Sequence, residues 1–115
     1  MKEEATITFL ASECGEFHGL GESIECTSLE EAFRHYKRFQ KQSPHMAPSL
    51  EFSLHHTEDP LYNESEYPLM TGEEGRELLS CVPYYANHPL VQEAVRKLER
   101  LEQQQKKSKK RSMER

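Results

Sequence analysis

The chain has 115 residues, of which 35% are hydrophobic and 30% charged, so any core that it forms is small. Residues 1–95 carry six Lys/Arg against seventeen Asp/Glu, a net charge of −11, whereas residues 96–115 carry nine against three, a net charge of +6. No stretch approaches the length of about 18 apolar residues that a membrane span needs, and no apolar leader follows Met1. Three cysteines without close pairing do not indicate a disulfide framework, so we expect a soluble, cytoplasmic protein with reduced thiols.

The N-terminal part of the chain predicts two paired strands. Residues 5–11 are rich in β-branched and aromatic side chains and alternate between two faces, as in a half-buried strand. Three glycines within residues 15–21 predict a turn. A second short strand near residues 22–26 is then expected to pair back on the first.

A helix follows this predicted hairpin. Ser28 and Glu31 have the spacing of a capping box, in which the Ser28 hydroxyl accepts from the Glu31 amide and Glu31 reaches back. Acidic residues follow at the start and basic residues at the end, in line with the helix dipole. The helix is expected to stop around residues 41–42, before Pro44. Its apolar positions recur at helical spacing: Leu29, Ala32, Phe33, Tyr36 and Phe39.

The second half of the chain predicts shorter elements and then a long helix. Residues 50–55 alternate cleanly and predict a strand with Leu50, Phe52 and Leu54 inward. Pro89 is favoured at a first helical position, and an apolar stripe runs from there to Leu101. Between them we expect a polar loop at 57–66, a short strand at 67–70, two helical turns at 73–81 that bury Leu78 and Leu79, and a bend at 83–87.

The order of these elements predicts an α+β fold, with a small, mostly antiparallel sheet of about four strands and two main helices on one face. Residues 1–102 are expected to form a single acidic domain. Residues 103–115 carry nothing to bury and predict a basic tail, either flexible or an extension of the last helix.

Four stretches of the chain form a recognisable pattern when taken in order. They are Ile7–Ala11 running into Glu13–His18 and Leu20–Glu22, the helix start Ser28–Phe33, the segment Pro44–Met46 through Leu50–His55, and the closing Tyr67–Leu69, Val82–Pro83 and His88–Val95. In this order they resemble the YodL-like domain. The resemblance covers about residues 5–98. It implies a protein of conjugative or other mobile elements of Gram-positive gut bacteria, and it implies no particular chemistry.

The residues that most often carry chemistry form no recognisable motif. Cys14, His18 and Cys26 could together bind zinc on the predicted hairpin, but the chain has neither a Cys-x-x-Cys nor a His-Glu-x-x-His motif. Cys81 and His88 are near in sequence, yet nothing in the sequence forces them to meet. We therefore predict no catalytic residues, no metal site, no cofactor and no enzymatic activity.

The acidic residues are the first candidate for partner binding. An acidic surface can dock on an arginine-rich nucleic-acid channel and compete for it electrostatically, and ordinary solubilising charge is the alternative. The predicted partner-binding residues are Glu13, Glu16, Glu22, Glu25, Glu30, Glu31, Glu58, Asp59, Glu64 and Glu66.

The basic tail is the second candidate. Its side chains could neutralise several phosphates in a salt-dependent way, although a solvated chain end is the alternative. No aromatic residue lies there, so base stacking is not expected. The predicted nucleic-acid-binding residues are Lys106, Lys107, Lys109, Lys110 and Arg111.

Together these features predict a non-enzymatic protein that binds and inhibits a host nucleic-acid-binding defence protein. The target would be a restriction or CRISPR nuclease, such as a Cas9-type effector, and the tail would touch nucleic acid. The alternative is an accessory module of conjugation or plasmid maintenance that binds DNA or partners a relaxase or helicase.

Overall fold

The computed structural model describes residues 4–17 and 19–113, with side chains as far as residue 105. The chain forms two compact units, Met1–Leu69 and Met70–Arg115. The first unit contains a four-stranded antiparallel sheet and one long helix, and the second contains three helices. The protein therefore has the small α+β fold that the sequence predicts.

The sheet of the first unit confirms the predicted strands. Its strands are β1 (Thr6–Ser12), β2 (Ser23–Cys26), β3 (Ser49–His55) and β4 (Tyr67–Pro68). All pairs are antiparallel, in the order β2-β1-β3-β4. The hairpin of β1 and β2 expected from the sequence is present, and β2 and β4 are the edges.

One face of this sheet forms the core of the first unit. Alternation along each strand sends every second side chain to the same side. The register pairs Phe9 with Phe52 and Ala11 with Leu50, so the apolar residues of β1 and β3 share one face. Phe9 is also paired with Cys26 of β2, which places this cysteine on the same face. The buried residues of the two central strands are Phe9, Ala11, Leu50, Phe52 and Leu54.

The long helix of the first unit, α1 (Leu29–Gln42), packs against β1, β2 and β3. Its N-cap is Ser28, whose hydroxyl accepts from the Glu31 amide at 3.4 Å, as predicted. The same hydroxyl donates to the Glu30 carboxylate at 2.7 Å. Helix α1 buries Leu29, Ala32, Phe33 and Phe39, which are four of the five apolar positions named from the sequence. Local signals and packing therefore agree along this helix.

The second unit consists of α2 (Gly72–Ser80), α3 (Pro83–Asn87) and α4 (Pro89–Met113). Helix α3 contacts both α2 and α4. The bend predicted at residues 83–87 is wrong, because these residues form the short helix α3. Pro83 occupies its first helical position, where the missing N–H costs nothing, and the Tyr85 amide donates to the Val82 carbonyl at 3.0 Å.

Helix α2 is present as predicted, but the residue that it buries is not one of those predicted. Leu78 and Leu79 were expected to be buried and are only half-buried. The buried residue is Gly75, because the Met70 carbonyl lies where a side chain at position 75 would begin.

Helix α4 continues through the basic segment as far as Met113. This agrees with the helix extension, which was one of the two predictions for residues 103–115. It buries Val91, Ala94 and Leu98, at the spacing of three and four residues that one helix face requires. The hydroxyl of Thr71 donates to the Glu102 carboxylate within this unit. Within the described part of the chain, none of the helices combines the length and apolar character that crossing a membrane requires.

Candidate functional site

The ten acidic residues predicted to bind a partner all lie in the first unit, and eight of them are exposed. This unit carries five Lys/Arg against thirteen Asp/Glu, a net charge of −8, whereas the second unit has a net charge of +3. The fold divides at residue 69 and not at residue 95, where the charge of the sequence changes sign, because residues 70–95, with a net charge of −3, belong to the second unit. The eight exposed residues are Glu16, Glu22, Glu25, Glu30, Glu31, Glu58, Glu64 and Glu66.

Glu13 is one of the two predicted acidic residues that are partly buried. Its hydrogen bonds join the two ends of the connection between β1 and β2. Its carboxylate accepts from the Ser43 hydroxyl at 2.6 Å and from the Glu22 amide at 3.0 Å. Its own amide donates to the Glu22 carbonyl at 2.8 Å. Gly21 lies against this carboxylate with a φ of 75°, a conformation that glycine adopts without strain. Glu13 thus ties the hairpin connection to the C-terminal end of α1.

These contacts change the acidity of Glu13. The hydrogen bond from Ser43, then the one from the Glu22 amide, lowers the pKa of the Glu13 carboxyl below its ordinary value, and the positive charge of Arg38 acts in the same direction. A carboxyl whose pKa is lowered by folding stabilises the fold above its unfolded pKa. That stabilisation is lost as the pH falls through the folded pKa.

We expect Glu13→Gln to lower the thermal unfolding temperature at pH 7, because the amide cannot accept both hydrogen bonds with the strength of a carboxylate. The difference from the wild type should shrink as the pH falls below the ordinary glutamate pKa of about 4.3, since the wild-type carboxyl is then protonated too. Thermal unfolding followed by circular dichroism at several pH values measures both effects.

Glu16→Gln is the matched control, since Glu16 is an exposed glutamate of the same connection. It should leave the unfolding temperature at pH 7 unchanged. An equal loss in both variants, or a Glu13→Gln effect that persists undiminished at low pH, would show that the contacts of Glu13 do not stabilise the hairpin.

Asp59 is the other partly buried acid, and it too has a local role. It caps the 3-10 turn Pro60–Tyr62, with its carboxylate accepting from the Leu61 amide at 3.1 Å. Glu58, Glu64 and Glu66 lie on the same connection between β3 and β4 and are exposed. This connection therefore presents three of the predicted carboxylates to solvent.

The connection between β1 and β2 exposes apolar as well as acidic side chains. Phe17 is 62% exposed and Leu20 is 57% exposed. Glu16 and Glu22, on the same connection, are exposed too. Large apolar side chains surrounded by charge are typical of protein–protein contact surfaces. The sequence analysis predicted only a turn here. Two large apolar residues, Phe17 and Leu20, among three glycines could have indicated that the turn exposes apolar side chains.

The predicted nucleic-acid-binding residues lie on the last turns of α4. The backbone there is helical, but the side chains of Lys106, Lys107, Lys109, Lys110 and Arg111 lie outside the described residues. Their contact with nucleic acid stays a prediction.

Cys81 and His88, which the sequence analysis considered as a catalytic pair, each have a hydrogen-bond partner close by in the chain. The Cys81 thiol donates to the Glu77 carbonyl at 3.5 Å, and Nδ1 of His88 accepts from the Leu90 amide at 3.2 Å. His18, one of the three residues of the hypothetical zinc site, lies outside the described residues. Of its companions, Cys14 and Cys26 are both buried.

A different group of metal-ligating residues lies at the junction of β2 and α1. One donor atom each from Cys26, Glu31 and His35 lies within 4.8 Å of the other two. Burial, and then the nearby Glu31 carboxylate, raises the pKa of the Cys26 thiol, which makes it a poor nucleophile at neutral pH. Only part of this group could be predicted from the sequence. Glu31 and His35 are four residues apart in a predicted helix, but nothing local indicates that Cys26 joins them.

Comparisons of the chain with protein families, with curated proteins and with solved structures gave no match.

Proposed function

We propose that this protein is a non-enzymatic inhibitor from a mobile element, which binds in the cytoplasm to the basic nucleic-acid-binding surface of a host defence nuclease. The observation that carries the proposal is the exposure of eight carboxylates on a unit with a net charge of −8. Basic channels that bind nucleic acid attract such a surface over long range, which raises the rate of association. Defence nucleases such as restriction enzymes and Cas9-type effectors have channels of this kind.

The connection between β1 and β2 is the part of the first unit best suited to the contact. Phe17 and Leu20 supply apolar area, while Glu16 and Glu22 supply charge. Electrostatic attraction mainly speeds encounter, whereas buried apolar anchors slow dissociation. A surface that offers both suits an inhibitor that must compete with nucleic acid.

A cleavage assay tests the proposal. A purified Cas9-type nuclease with its guide RNA, and a restriction endonuclease in parallel, would cut target DNA at increasing concentrations of this protein. We expect cleavage by one of them to stop near one inhibitor per nuclease, as in stoichiometric binding. Unchanged cleavage by both at a large molar excess would refute inhibition of these two classes.

We further expect Glu16→Gln combined with Glu30→Gln to slow association with the inhibited nuclease about 3- to 10-fold at low salt, because two charges are removed from the acidic unit. The difference should shrink at high salt as screening increases. Surface plasmon resonance at several salt concentrations measures the association rate.

The matched control removes the same number of charges from the second unit, as Glu93→Gln combined with Glu99→Gln, both of which are exposed. If this control slows association as much as the first pair, the effect reports total charge, and the acidic first unit is not the contact surface.

A second candidate function is supported by the helical basic segment of α4. An accessory module of conjugation or plasmid maintenance would bind DNA through residues 106–111, without a protein partner. A gel shift with duplex DNA separates the two functions. Binding that five phosphate contacts provide should fall with salt at a logarithmic slope of about −4.5 and disappear on truncation after residue 105.

A further inference from the structure

We infer that Cys26, Glu31 and His35 form a binding site for a divalent transition metal, of which Zn²⁺ is the best fit. A thiol sulfur, a carboxylate oxygen and an imidazole nitrogen come together there, each within 4.8 Å of the other two. All three atom types are ordinary zinc ligands, and a set of three with a free fourth position is the usual composition of an open zinc site. The inference is independent of the proposed inhibition.

The fold fixes the positions of the three residues. Cys26 is the last residue of β2, and only two residues separate it from the first residue of α1. Glu31 and His35 are four residues apart in α1, so they are neighbours on one face of the helix. Because Leu29 and Phe39 are buried, α1 cannot rotate about its axis without exposing apolar area. The helix therefore holds the carboxylate and the imidazole beside the end of the strand.

The spacing of the donor atoms is close to what zinc requires. With metal–ligand distances of about 2.0–2.3 Å, two donors on a tetrahedral zinc lie about 3.5 Å apart. A separation within 4.8 Å has to contract by about 1.3 Å at most. Glu31 is exposed and His35 is half-buried, so rotation of their side chains can supply this contraction without movement of the backbone.

Burial divides the site into a protein side and a solvent side. Cys26 is 4% exposed, so its sulfur would approach the ion from the core. Glu31 approaches from the solvent side. A water molecule or a donor from another molecule can then take the fourth position, as in zinc sites that keep one position open.

Arg38 competes with the metal for His35. Its guanidinium lies 3.1 Å from Nδ1 of His35, and since arginine only donates, Nδ1 must accept. Coordination through Nδ1 would displace this hydrogen bond, and coordination through Nε2 would place the proton on Nδ1 and abolish it. Arg38 also lies 3.6 Å from the Glu22 carboxylate and over the Phe39 ring, so it keeps other contacts after release.

Titration of the full chain with Co²⁺ tests the site, since a cobalt–thiolate bond produces an absorption band that water or carboxylate ligands do not. We expect one Co²⁺ per chain, with this band, and its displacement by Zn²⁺. Glu31→Gln and His35→Ala should each weaken binding at least about 10-fold, and Cys26→Ser should remove the thiolate band. Circular dichroism establishes that each variant is folded. Because Glu31 and His35 are not buried, their variants remain informative if Cys26→Ser does not fold.

Cys14→Ser and Cys81→Ser are the controls, one at a buried thiol of the same unit and one at an exposed thiol. Both should retain the band and the affinity. Arg38→Ala should bind Co²⁺ more tightly, because the competing donor and its charge are gone. Absence of a thiolate band in the wild type, or loss of the band in Cys14→Ser with its retention in Cys26→Ser, would overturn the inference. So would unchanged affinity in both Glu31→Gln and His35→Ala.

Discussion

Phe52→Ala is expected to lower the free energy of unfolding by about 3–5 kcal/mol, the range typical of a deeply buried phenylalanine. Phe52 is 0% exposed and lies on β3, between Phe9 of β1 and Tyr67 of β4. Its ring meets that of Tyr67 edge to face at a centroid distance of 6.0 Å. The substitution removes both the buried area and this ring contact, and it leaves a cavity at the centre of the sheet. Since domains are stable by about 5–15 kcal/mol, the loss is a large fraction of the total.

Urea denaturation followed by circular dichroism measures the change in the midpoint and in the slope. Phe17→Ala is the matched control, because it removes the same side chain from a position that is 62% exposed. We expect it to change the free energy of unfolding by no more than about 0.5 kcal/mol. Equal losses in the two variants would mean that Phe52 is not in the core of the first unit.

Gly75→Ala is expected to destabilise the protein by about 1–3 kcal/mol, the usual cost of forcing an extra carbon into a packed position. Helix propensity by itself predicts the opposite, a gain of about 1 kcal/mol for alanine over glycine inside a helix. The structure decides the sign, because the carbonyl carbon and oxygen of Met70 lie where the new methyl group would be. Both obstructing atoms belong to the backbone, so no side-chain rotation can relieve the clash.

The same denaturation experiment measures this variant. Gly19→Ala serves as the comparison, since among the described residues, apart from its two chain neighbours, no heavy atom lies within 4 Å of the carbon that it would add. A change of no more than about 0.5 kcal/mol is expected there. If Gly75→Ala proves as stable as the wild type or more so, the close approach of Met70 to α2 is wrong.

Much of the fold could be predicted because its signals are local. The capping pair of Ser28 and Glu31, with apolar residues at helical spacing, was enough to place α1 to within a residue. Alternation in residues 50–55 was enough to identify the inward residues of β3, since a strand sends successive side chains to opposite faces. Helix α3 was missed because five residues between two prolines read equally well as a bend.

The candidate site was harder to predict, because its contacts join residues that are distant in the sequence. Glu13 has the same sequence character as the exposed acids. It is distinguished by its hydrogen bonds from Ser43, thirty residues away, and from the Glu22 amide. The spacing of Glu31 and His35 was visible in the sequence. The approach of Cys26 to them depends on how β2 turns into α1.

The sequence was sufficient to predict the order of the helices and strands apart from α3, the amphipathic pattern of α1 and the contrast between an acidic body and a basic end. These depend on side-chain chemistry and on repeats of two or about four residues, which act within a few residues of chain. The tertiary structure alone decided which carboxylates are exposed, why position 75 must be glycine, and that Cys26 lies beside Glu31 and His35. Those outcomes depend on the pairing of strands and the packing of α1 on the sheet, which bring together groups whose separation in the sequence carries no periodic signal.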